Sequence, residues 1–306
     1  CRVAVELPAR LNLYDTLTGK PMNDKEAATL FQGVIFVIAP HMDDEMLACG
    51  ATMAALPDKR SIHVIYATDG ARSPARDLPW GTRANPALVS VRAKEAKQAL
   101  GSLGIPVSNA VFLGLPDGAL KSCENELTEV LTGHILRLQP QQVFAPFRLD
   151  RHPDHLAVHR ATVRALQAAN SGATLNEYFV YFRWRLLPEG DIRKVIRDDL
   201  RVCVPVAAQA AKKRRAIACY TSQTTEYFAW QSRPILAPGN IEEVCSTPEC
   251  FLRTAPGTRH TRIFTRRPLW IQCAHVLEPR LKQIKERAKS IGRRLGSRAA
   301  RGGGRG

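Results

Sequence analysis

Short apolar runs alternate along this chain with longer segments in which apolar residues recur every three or four positions. Gly33 to Ala39 is almost wholly apolar and reads as a buried strand, whereas Glu45 to Leu56 carries a helical spacing. The same alternation continues downstream. Strands are predicted at Ile62 to Ala67, Ala110 to Leu113, Gln142 to Ala145 and Tyr178 to Phe182. Helices are predicted at Pro86 to Leu103, Glu126 to Leu138, Asp154 to Ala168 and Ala207 to Tyr220. Gly104 and Pro106 stop the second helix. Residues 1 to about 30 give no clear element, and past Thr224 the pattern passes into Pro-rich, polar loops up to about Pro268.

Strands alternating with helices imply parallel βαβ units with helices on both faces of the sheet. The expected fold class is therefore α/β, a Rossmann-like three-layer arrangement with a mostly parallel sheet and an irregular C-terminal extension. The chain divides into an N-terminal extension (1–30), a main domain (31–225), a Pro-rich loop region completing it (226–279) and a basic tail (280–306). In such sheets ligands bind at the carboxyl ends of the strands. The unusual polar clusters fall there: His41 to Asp44, Asp69, Asp117, and Asp150 to His155.

Charge placed directly after a buried strand is costly unless it is used. His41, Asp44 and His155 can meet, because adjacent strands bring their ends side by side. Two imidazoles and a carboxylate are a common catalytic zinc set. Asp43 is then left over as a candidate base. His152 is a candidate to stabilise an oxyanion or protonate a leaving amine, and Asp154 to orient a neighbouring imidazole. Each residue also has a plainer reading. Asp43, Asp44 and Glu45 suit a helix start through capping and the macrodipole. His155 can be a helix-surface histidine, and His152-Pro153 a helix entry. His159 is expected to be exposed, and His63, His134, His260 and His275 to be structural.

Of the 306 residues, 45% are hydrophobic and 24% charged, values ordinary for a globular chain. No apolar stretch reaches the roughly 18 residues of a membrane span. The chain begins at Cys1 without an apolar leader, and the absent methionine points to a trimmed or partial chain. The eight cysteines include no Cys-x-x-Cys pair. Cys245 and Cys250 are close enough in sequence to bridge, but the spacing is not a disulfide framework, which favours a reducing, cytoplasmic setting. The net charge is +16. From Arg280 onward there are ten Lys or Arg against one acid, Glu286, so the tail supplies about nine of those charges. Leu281, Ile284, Ala288, Ile291 and Leu295 form a stripe on this basic segment. It is compatible with a helix docked on the domain by that stripe, with a peripheral position on an anionic membrane, and with attraction to nucleic-acid phosphates.

Pro40-His41-Met42-Asp43-Asp44-Glu45 together with His152-Pro153-Asp154-His155 resembles the LmbE/PIG-L-like family of zinc-dependent N-deacetylases. Thr68-Asp69-Gly70, Arg92-Ala93-Lys94-Glu95 with Ala99-Leu100-Gly101, Leu113 to Gly118, and Lys213 through Tyr220-Thr221-Ser222-Gln223 are similar to further landmarks of that family, in order. The resemblance spans about residues 33 to 225. It implies one zinc, or another divalent ion, on His41, Asp44 and His155, with Asp43 as general base. It implies His152 as the group that stabilises the intermediate or acts as acid, and Arg92 and Asp117 as contacts to sugar hydroxyls. For Arg92 the plainer reading is an ion pair with Glu95 on one helix face. Met42 stands where the family most often has proline, Asp150-Arg151 where some relatives carry a tyrosine, and nothing past Thr224 matches.

The expected function is metal-dependent hydrolysis of the acetamido group of an N-acetylglucosamine-type conjugate. Alternatives are an amidase acting on a larger acyl group and a non-catalytic binding protein on the same scaffold, its basic tail holding anionic partners. The expected partner is an N-acetylated sugar or sugar-conjugate substrate, with an anionic membrane surface reached through the tail as a further one if the tail is not docked on the domain. No specific nucleic acid is expected, and a homo-oligomer is open.

Overall fold

The computed structural model describes residues 24–74, 77–78, 81–82, 84–258, 262–265, 269–281, 283–285 and 288. Helix α1 (Asp24–Leu30) leads into β1 (Ile35–Ala39) and α2 (Asp44–Ala55). Next come β2 (Ile62–Thr68), α3 (Pro86–Ser102), β3 (Ala110–Leu115), α4 (Glu124–Leu138), β4 (Gln142–Pro146), α5 (Pro153–Ala168) and β5 (Thr174–Tyr178). Further on come β6 (Arg201–Val204), α6 (Ala210–Ala218), α7 (Pro238–Ser246) and β7 (Glu249–Thr254), and residues 269–281 are again helical. They form one seven-stranded sheet in the order β3-β2-β1-β4-β5-β7-β6. The five strands from β3 to β5 are parallel, and β7 runs antiparallel to both β5 and β6.

Every residue of β1 is buried because it has cover on both sides, which is why this strand reads as a continuous apolar run. Ile35, Val37 and Ala39 face one layer, with Met46 and Met53 of α2, Ala99 of α3 and Ile217 of α6. Phe36 and Ile38 face the other, with Leu131 of α4 and Val158 of α5. The alternation follows from the two-residue period of a strand. Helix starts follow local chemistry. Asn85 accepts the backbone N–H of Ala87 ahead of Pro86, and the Nδ1 of His152 accepts that of Asp154 ahead of Pro153.

Several expectations are corrected. The fifth strand ends, rather than begins, at Tyr178, since residues 174–178 pair with β4 while 179–182 turn away. The segment read as loops past Thr224 contains α7 and the interior strand β7. β7 has only six residues, and its Glu249 serves the buried ion pair described below, so no apolar run marks it. Cys250 of β7 is bonded to Cys203 opposite it on β6, not to Cys245. His159 is buried, its Nδ1 3.1 Å from the carbonyl of Pro146. Among the described residues the C-terminal stripe does not dock on the domain: Leu281 and Ile284 are 51% and 62% exposed and Ala288 is exposed, while Ile291 and Leu295 lie outside the described residues. Phe147, Phe179, Phe182, Trp184, Ile192, Leu252, Phe264 and Ile271 form a third cluster, absent from the sequence pattern because its members come from separate short segments.

Candidate active site

The carboxyl ends of β1 to β4 converge on one cavity of about 560 Å³. His41 stands in the turn after β1. Its Nδ1 lies 3.2 Å from Oδ2 of Asp44, and the same oxygen lies 3.2 Å from Nε2 of His155. Each imidazole has a carboxylate behind it. Nε2 of His41 is 3.2 Å from Asp154 and 3.3 Å from Asp117, and Nδ1 of His155 is 3.4 Å from Asp150. Asp154 is fixed in turn by the backbone N–H groups of Gly118 and Leu120.

Both ring nitrogens of His155 are buried without a partner in hydrogen-bonding geometry, although carboxylate oxygens lie close to each. Imidazole nitrogens converging on one carboxylate oxygen, each backed by a further carboxylate, suit a divalent cation. Among the described residues, two sets have ligand atoms within 4.8 Å of one another: His41 with His152 and His155, and His41 with Asp117 and Asp154. The donor chemistry therefore fits a metal. With protons in its place, burial opposes charge on both rings. His41 is nevertheless held well above the usual imidazole range by Asp117, Asp154 and Asp44, and His155 at about 9 by Asp44 and Asp150. Asp44 is held well below the usual carboxylate range, because His155 and His41 outweigh its burial. Burial would likewise raise Asp117, but its bond to His41 brings it down to about 2.

Asp43 sits in a different environment. Burial pushes its carboxyl up to about 7 despite the pull of Arg92, whose NH2 is 3.5 Å away. Its backbone has φ 146°, a conformation that costs a side-chain-bearing residue energy and is held by its surroundings. The Asp43 N–H donates to Oε2 of Glu45 at 3.2 Å, and Oε1 of Glu45 accepts the hydroxyls of Tyr66 and Tyr220. Arg92 donates to the carbonyl of Met42 at 2.6 Å. Gly70, at φ +65°, leaves room for both: a Cβ there would lie 2.6 Å from Met42 Cε and 3.0 Å from Arg92 Cδ.

Arg92 lines the cavity yet is almost fully buried. The ion pair with Glu95 does not form, because Glu95 accepts from Thr221, the Ser222 N–H and the Ser222 hydroxyl. Neutral His152 is favoured by burial and by the charges of His155 and His41, which lower it to about 4. Since its Nδ1 accepts from Asp154 N–H at 3.2 Å, its remaining proton belongs on Nε2.

Sequence reasoning gave no role to Tyr181, whose ring lies 5.5 Å from that of His155, or to Arg72, Ser73 and the apolar wall of Phe179, Val180, Ile235 and Leu236. These positions follow strands or lie in connecting segments without a periodic signal. Beneath the site, α2 is gripped by a buried pair. Lys213 donates to Glu249 at 2.6 Å and to the Leu47 carbonyl at 2.7 Å, and Glu249 accepts the N–H groups of Ala51 and Thr52.

The molecule is thus a mostly parallel α/β sheet with a His/Asp cluster at the strand ends after β1 and β4. Residues 36–166 match the family model PIG-L, GlcNAc-PI de-N-acetylase. A 1D-myo-inositol 2-acetamido-2-deoxy-alpha-D-glucopyranoside deacetylase from Rhodococcus jostii is 24% identical over 238 residues, covering 62% of this chain and 82% of the relative. The deacetylase of teicoplanin biosynthesis superposes with a TM-score of 0.55 at 19% identity, over 74% of this chain and 99% of that one. The N,N'-diacetylchitobiose deacetylase of Pyrococcus horikoshii gives 0.51 at 22%, over 76% and 87%.

Proposed function

We propose that the protein is a metal-dependent hydrolase that removes the N-acetyl group from an N-acetylglucosamine-type conjugate. The observation that carries this reading is the shared Oδ2 of Asp44, approached at 3.2 Å by one nitrogen of each histidine, with the unshared carboxylate of Asp43 beside it in the cavity. His41, Asp44 and His155 are the proposed ligands, with zinc as the proposed ion. Bound there, such an ion supplies Lewis-acid polarisation of an acyl carbonyl and acidification of a water.

The side chains do the rest. Asp43, raised towards neutrality by burial, is matched to receive the proton of an attacking water at pH 7 and to return it to the departing amine. The Nε2–H of His152 is placed to donate to oxygen as negative charge develops on it. Asp154 and Asp150 hold the two ligand imidazoles in orientation through their outer nitrogens. Asp117 is proposed to contact a sugar hydroxyl as well as His41. Arg92, already bonded to Met42 and set against Asp43, is proposed to position that carboxylate besides facing the sugar.

The apolar wall of Phe179, Val180, Ile235 and Leu236 favours a substrate with an apolar portion, either in the conjugate or in a longer acyl group. Acetate release should therefore be measured on N-acetylated sugars and conjugates, alongside longer N-acyl analogues, before and after chelation and with zinc restored. Metal-dependent acetate release is expected. Acyl release only from the longer analogues would make the protein an amidase of another specificity, and turnover unaffected by chelation would remove the metal from the mechanism.

A further inference from the structure

Residues 269–281 form a helix that packs on the aromatic third cluster through Ile271 and Ala274. The buried Glu278 fastens the same side, accepting the Leu186 N–H at 2.6 Å and pairing with Arg151 at 3.0 Å. Arg151 also lines the active-site cavity. The adjoining face, centred about 120° round the helix from that side, is turned outward, and it is largely apolar. Leu269, Trp270, Val276 and Leu277 are all exposed, and Leu281 and Ile284 continue the row. At 100° per residue these six fall within a little over a third of the helical circumference, an arc of about 140° that also holds the exposed Cys273 and Arg280. The sequence extends the same spacing to Ala288, Ile291 and Leu295.

A water-facing stripe of this length on a single helix lacks the usual reason for an amphipathic helix, which is to bury its apolar face in its own domain. Its charge identifies the partner. From Arg266 to Gly306 there are twelve Lys or Arg and two acids, Glu278 and Glu286, and Glu278 is already buried against Arg151. Apolar residues including tryptophan on one side of a helix, embedded in strongly basic sequence, match an interface that is apolar below and anionic above. We infer that this helix is a docking surface for an anionic lipid bilayer. The outward stripe lies at the acyl boundary while the surrounding Lys and Arg meet the headgroups. A second copy of the chain would cover the apolar stripe but would bring two strongly basic segments together.

The test uses the full chain and phosphatidylcholine vesicles with and without phosphatidylserine. Co-sedimentation is expected only with the anionic vesicles, at low salt, with release as salt screens the attraction. The variant Trp270→Ser/Leu277→Ser/Leu281→Ser alters exposed side chains only, so its thermal unfolding should match the parent. Its vesicle-bound fraction is expected to fall about tenfold or more through loss of buried apolar area. The inference is overturned if the parent stays in the supernatant with anionic vesicles, or if the variant binds them as the parent does. Sedimentation velocity showing a parent dimer that the variant dissociates, without vesicle binding, would overturn it in favour of a second copy.

Discussion

Asp43 and Asp44 are adjacent, chemically identical and both buried, yet their environments divide them. Asp44 faces two imidazoles and is held well below the carboxylate range, whereas Asp43 faces an arginine across 3.5 Å and is raised to about 7. In the proposed mechanism a ligand must stay ionised and a base must accept a proton, and these two environments suit one aspartate to each role. Asp43→Asn is expected to keep the metal, measured by elemental analysis, while kcat for acetate release drops by about 10²–10⁴. Metal lost along with activity would make Asp43 a ligand. Asp150→Asn tests the support behind His155. Zinc affinity in a competitive chelator titration is expected to weaken by roughly 10–100-fold. An unchanged affinity would show that the 3.4 Å approach to Nδ1 does not hold the ring.

At the scale of elements, α2 connects the turn that carries His41 and Asp43 to the rest of the molecule. Its start carries Asp44, and its middle is held by the Lys213–Glu249 pair, which draws α6 and β7 against it. Gly50 permits the approach, since a Cβ there would sit 3.2 Å from Lys213 Cγ. Removing one partner leaves a charge buried without its counter-charge. Lys213→Met is expected to cost about 3–5 kcal/mol in denaturant unfolding. Lys213→Met/Glu249→Gln should recover part of that loss. A cost below about 1 kcal/mol for the single variant would mean that water or a neighbour already compensates Glu249. Gly70→Ala should disturb the turn that Met42 and Arg92 share, and act on turnover more than on the rest of the fold.

Across the whole molecule, the sheet closes on a late antiparallel pair, β6 and β7, stapled by Cys203–Cys250 across 47 residues of sequence. That loop spans Lys213, Gln223 and the cavity wall at Ile235, so the bond restrains the segment that completes the site. Cys203→Ser/Cys250→Ser is expected to lower unfolding stability by about 2–4 kcal/mol, read from the denaturant midpoint at constant slope. No change would assign the pairing of these strands to their packing alone. No helix among the described residues is long and apolar enough to cross a membrane.

The sequence by itself determined the parallel βαβ core, because buried strands and amphipathic helices write their periods directly into the chain. It also determined where polar clusters would gather, since strand ends in such a sheet lie side by side. That His41, Asp44 and His155 would meet was legible on that ground, aided by the likeness of their motifs to a known family. Tertiary structure decided what depends on partners distant in sequence. Glu45 finds its hydrogen-bond donors in Tyr66 and Tyr220, and Glu95 turns from Arg92 to Ser222 because that segment folds against it. β7 hides its identity behind a carboxylate that a lysine on another element neutralises. The direction in which an amphipathic helix turns its apolar face was equally beyond local pattern. Periodicity defines the stripe, but only the packing of Ile271, Ala274 and Glu278 leaves that stripe facing outward.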